Sequence, residues 1–106
     1  MESKEKLINR HKLGIAIKRV IEKNKNSIVE NSATSLRKLA AASGVEYAII
    51  QKITSGQKDP QFTTLLSVAD GLNIAVSELL LQFESISEEA AIKQISESQK
   101  KRKKKN

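Results

Sequence analysis

Between residues 34 and 60 the chain is punctuated so closely that only short helices fit. Thr34 or Ser35 can cap a helix, because either hydroxyl accepts from a free N–H of the first turn. Leu36, Leu39 and Ala40 then supply an apolar face, and Ser43-Gly44 ends it, with glycine able to take the positive φ of a tight turn. A second helix is expected from Glu46 to Ser55, with Ile49, Ile50 and Ile53 inward and Gly56 closing it. Gln57-Lys58-Asp59-Pro60 reads as a loop that leads into a further helix near Phe62.

The flanks continue the helical pattern. From Lys4 to Lys25, Leu13, Ile17, Val20 and Ile21 fall on one stripe, with Leu7 and Ile8 extending it. Gly14 weakens that helix by roughly 1 kcal/mol relative to Ala unless close packing requires a bare backbone. Residues 26–34, polar except for Ile28 and Val29, read as a loop. After Pro60, Leu65, Val68, Ala69 and Leu72 form an inward face that stops at residues 71–73. Ile74 then bridges to a short helix from about Val76 to Phe83, with Leu79, Leu80 and Leu81. Residues 86–99 are a further, narrower helical stretch, with Ile86, Ala90, Ile92 and Ile95 apolar. Neither period-two alternation nor a hairpin turn is present, so the expected fold class is all-α.

Composition narrows the chemistry. Of 106 residues only Tyr47, Phe62 and Phe83 are aromatic, so Leu, Ile, Val and Ala must build the core. The absence of cysteine and the single histidine, His11, remove disulfides and thiolate sites and point to no metal, no cofactor and no enzyme. His11 itself is expected on the helix surface. No apolar run approaches the roughly 18 residues of a membrane span, and no secretory h-region follows the start, so a soluble, cytoplasmic protein is expected. The formal charge of +7 lies mostly in the last seven residues; without them 13 basic residues face 12 acidic ones, a net of +1. High basicity alone is therefore a weak argument for nucleic acid.

Two short helices around a glycine-containing turn have the form of a helix-turn-helix. Ala40 is small where the helices would cross, Gly44 sits in the turn, and Leu39, Val45, Ile50 and Ile53 face the shared core. Glu46, Tyr47, Ala48, Gln51, Lys52 and Ser55 remain on the outer face of the second helix, available to a major groove about 12 Å wide.

The segment SLRKLAAASGVEYAIIQKITSGQKDPQFTTLLSVADGLNIAVSELL, residues 35–80, resembles the lambda-repressor-like helix-turn-helix proteins of the Cro/C1 or XRE type. Its capping Ser, Leu-Ala, Gly-Val, Ile, Gly-x-x-x-Pro, Thr-Leu and final Glu-Leu occur in that family's order. The resemblance implies a five-helix DNA-binding domain over residues 1–83 with its motif at 36–55. A helical extension at 84–99 and a disordered basic tail at 100–106 would follow.

It also implies a bacterial or phage transcription regulator that binds a palindromic operator as a homodimer, with half-sites about 34 Å apart. Tyr47 and Ala48 match positions that meet base edges, Lys52 falls one turn later, and Gln51 lies beside them. Ser35, Arg37, Ser55, Gln57 and Lys58 are expected at phosphates, and Leu80, Leu81, Phe83 and Ile86 at a twofold interface. Two features depart from the family. Leu36 replaces the Gln that bonds a phosphate, and Ile21 and Thr54 stand where an Arg–Glu pair is common. The rival readings are an antitoxin whose C-terminal part wraps a toxin, and a protein-interaction adaptor without DNA contact.

Overall fold

The computed structural model describes residues 3–27 and 32–104; among them are six helices and no strand. They are α1 (Lys4–Lys25), α2 (Leu36–Ser43), α3 (Tyr47–Thr54), α4 (Phe62–Gly71), α5 (Val76–Ser85) and α6 (Glu88–Lys104). The all-α expectation is met, with one helix longer than the sequence marked out. Residues 28–31 of the expected loop and 105–106 of the expected tail lie outside the described residues.

Local chemistry accounts for most helix ends. Ser3 Oγ accepts from Lys6 N at 3.2 Å and Ser35 Oγ from Lys38 N at 3.1 Å, each satisfying a first-turn donor. Helix α2 ends at Gly44, φ 74°, whose N–H donates to Ala40 O. Helix α3 ends with Gly56, φ 78°: its N–H reaches Ile53 O, and Gln57 N reaches Lys52 O at 2.8 Å. That paired arrangement satisfies the last carbonyls of a helix and needs a left-handed residue between them. Asn73, φ 61°, plays the same part after α4, where Ile74 N reaches Ala69 O.

The core gathers one stripe from each helix. Ile17, Leu39, Ile50, Ile53, Val68, Leu72, Leu79 and Ile86 are almost wholly enclosed, with Val20, Ile21 and Ala69 beside them. Each such aliphatic side chain contributes roughly 1.5–3 kcal/mol by leaving water. Helix α1 is the spine, packing against α3, α5 and α6, while α2 lies on α3 and α4.

Helices α1 and α3 cross closely at Gly14. A Cβ built on Gly14 would lie 2.8 Å from the carbonyl carbon of Thr54, and closer still to its oxygen. The bare backbone at position 14 thus lets the two helices touch main chain to main chain. Thr54 is buried there, and its hydroxyl is satisfied within α3 by donating to Ile50 O at 2.9 Å. Ile21, for its part, lies in the aliphatic core.

Helix α6 departs from the expected boundaries. It starts at Glu88, not Ile86, and continues to Lys104, through most of the segment expected as a free tail. Ile86 is instead an extended residue (φ −76°, ψ 126°) between α5 and α6, and it turns into the core. The Lys- and Ser-rich end of α6 has no apolar stripe to announce it. Its acidic Glu88 and Glu89 at one end and lysines at the other follow the helix macrodipole. Among the described residues no single helix is long and apolar enough to cross a membrane.

Replacing Gly14 by Ala should lower stability by about 1–3 kcal/mol through overpacking, although Ala is the better helix former by about 1 kcal/mol. A urea midpoint that rises in Gly14→Ala would contradict the main-chain contact.

Candidate nucleic-acid interface

Helices α2 and α3 are joined by only three residues, 44–46, and α3 is held from behind by Ile50, Ile53 and Thr54. Its opposite face is open: Ala48, Gln51 and Lys52 are exposed, and Tyr47 is half-buried. The i, i+4 pairs Tyr47/Gln51 and Ala48/Lys52 place these side chains on adjoining strips of one surface. Glu46 precedes the helix as its N-cap residue but makes no side-chain cap.

The residues expected around this face differ in what they can still offer. Arg37, exposed on α2, stacks its guanidinium 4.3 Å from the Tyr47 ring centroid. That contact carries about 0.5–1 kcal/mol at an exposed site and holds the two side chains together. Ser35 Oγ is engaged as the α2 cap, and Lys38 Nζ donates to Thr34 Oγ1 at 3.2 Å. Ser55 Oγ donates to Lys52 O, the same carbonyl that receives the N–H groups of Gln57 and Lys58. The amides of that turn are therefore directed inward, and only the exposed side chains of Gln57 and Lys58 face out. The cations Arg37, Lys38, Lys52 and Lys58, on α2, α3 and the loop after α3, are exposed, and so are Glu46 and Asp59.

The four residues expected at a twofold interface are not equivalent. Leu81 is 65% exposed and Leu80 39%. Phe83 is half-buried against the core, and with Leu80, Leu13, Leu65 and Pro60 it lines a concavity of about 290 Å³. Ile86 is 2% exposed, so it has no surface to give a second chain. That expectation is corrected: the break between α5 and α6 rotates its side chain inward. Phe62, at the start of α4, is 63% exposed and was not among the expected interface residues.

His11 is also corrected, from surface to interior: it is 4% exposed. Its ring covers Gly56, where a Cβ would lie 2.6 Å from three ring carbons. Beside it, Arg10 Nε donates to Gly56 O at 2.8 Å, tying α1 to the turn after α3. On the other side Gln94 Nε2 lies 2.8 Å from His11 Nδ1, the amide donating and the ring accepting. Burial lowers the His11 pKa below its ordinary 6.5, and the Arg10 and Lys18 charges lower it further. Both effects favour the neutral ring, and with the Gln94 amide nitrogen against Nδ1 the matching tautomer is the one with its proton on Nε2. Sequence spacing could not reveal this, because the hydrogen-bond partner lies 83 residues away.

No group of three or more His, Cys, Asp or Glu side chains among the described residues is placed to hold a metal ion. Comparison with family models, with curated proteins and with solved structures gives no match.

The depressed His11 pKa has a defined consequence for stability. The unfolded chain takes up the proton near pH 6.5 and the folded one only at lower pH, so stability is full above about 6.5 and falls as pH drops through that value. Urea midpoints at pH 7.5 and 5.5 should differ in the wild type, and the difference should shrink in His11→Gln. An unchanged difference would contradict a buried neutral ring.

Proposed function

We propose that this protein is a sequence-specific DNA-binding regulator of the lambda-repressor-like type, with α3 as the element that enters the major groove. The observation that carries the proposal is the division of α3. One side is locked into the core by Ile50, Ile53 and Thr54, while Ala48, Gln51 and Lys52 stand clear on the other. A helix held this rigidly and left open along one face suits a groove about 12 Å wide.

In this reading each side chain has a chemical role. Lys52 donates to guanine O6 or N7, Ala48 meets a thymine methyl, and Gln51 reaches a neighbouring base edge. Tyr47, braced by Arg37, offers its hydroxyl at the start of the helix. Arg37, Gln57 and Lys58 set the register on phosphates, which carries no sequence information in itself. Of the four residues expected at a twofold contact, Leu80 and Leu81 are the exposed ones and are proposed to make it. A dimer is proposed because one reading helix spans only a few base pairs, and pairing two of them lengthens the site.

Selection from random-sequence duplexes with the full chain should enrich a palindrome whose half-sites lie about one helical turn apart. Lys52→Ala should cost about 1–3 kcal/mol on the enriched site and relax preference at one position. Failure to enrich any motif would set the DNA reading aside. Co-purification with a small partner protein held by the C-terminal part would favour the antitoxin reading.

A further inference from the structure

Helices α1 and α6 run parallel in a fixed register. His11 meets Gln94, and the same offset brings Lys18 level with Lys101, seven residues further along each helix. Between the two helices and the turn at residues 55–57 lies an open groove of about 740 Å³. Lys18 and Lys101 line one end of it, Ser55 and Gln57 the wall below α3, and Glu97 is its one carboxylate.

The arrangement sets two like charges against each other at one level. Lysines at the C-terminal end of α6 complement the helix dipole and need no ligand to explain them. Lys18 has no such reason, because it sits in the body of α1. Its amino group loses proton affinity through partial burial and, second, through the Lys101 charge. Two ammonium groups at one end of a groove create a positive potential there that favours an anion between them.

We propose that this groove is a phosphate-binding site, in which Lys18 and Lys101 hold a phosphate ester or diester and the Gln57 side-chain amide donates to its oxygens. The site shares Gln57 with the phosphate contacts proposed above and in its duplex form rests on that reading, while Lys18 and Lys101 extend it to α1 and α6. Its chemistry fits two sources: the backbone of a duplex lying against the turn after α3, or a free phosphorylated small molecule.

The test uses the isotope-labelled full chain and the double variant Lys18→Gln, Lys101→Gln. Removing two mutually repelling charges is not expected to unfold the protein, and the dispersion of its amide signals verifies that. Inorganic phosphate, adenosine 5′-monophosphate and a short duplex are titrated in turn. In the wild type, amides of residues 55–57 and 94–101 should shift saturably, and the double variant should bind at least tenfold more weakly. If the duplex is the source, the slope of log affinity against log salt becomes shallower by about two in the variant. If a free phosphorylated molecule is the source, that slope is unchanged while binding of the monophosphate falls. Should the double variant bind all three probes as the wild type does, the site is refuted. Failure of the α3 reading shows separately, as unmoved amides across residues 47–54 with the duplex.

Discussion

Helix α1 reaches the backbone of α3 because residue 14 has no side chain, and much of the molecule is arranged around that contact. With the carbonyl of Thr54 against Gly14, the end of α3 is set against the middle of α1. Arg10 and His11, one turn earlier on α1, then fall on Gly56 and hold the turn that follows. A bulkier residue at 14 would push α3 outward and loosen all three contacts together, because close-packed interiors transmit displacement. The open face of α3 owes its fixed position to this anchoring behind it.

Thr54 shows how the crossing stays satisfied without charge. A buried ion pair must offset a large desolvation cost, and losing one partner alone is expensive. Here the hydroxyl of Thr54 closes on its own helix and leaves no unpaired group in the contact. An aliphatic Ile21 elsewhere in the core fits the same economy of polar groups. The proposed DNA-facing surface is accordingly supported from behind by packing and by hydrogen bonds to main-chain carbonyls.

The role of α6 changes the meaning of several residues at once. Its contact through Gln94 turns His11 from an ordinary helical residue into a buried acceptor, and its approach encloses Ile86 and Ala91. It also carries Lys101 to the side of the molecule where Ser55 and Gln57 edge α3. Part of the basic segment is thereby placed by a helix, and its charge acts at a defined location.

Features governed by neighbours a few residues apart are legible in the amino-acid order alone. The ends of α1 and α2, the left-handed turns at Gly44 and Gly56, and the inward stripes of Ile17, Leu39, Ile50, Ile53 and Leu72 follow from caps and helical periodicity. The outward set Ala48, Gln51 and Lys52 follows as the complement of that stripe. The burial of His11 and Ile86, the half-burial of Phe83 and the placing of Lys18 and Lys101 in one groove come from the packing of distant segments. For His11 and the two lysines the reason is the register of α6 along α1, set by contacts between residues more than 80 positions apart. No local pattern encodes that register, because a narrow apolar stripe in a lysine-rich helix leaves its docking direction open until a partner surface exists.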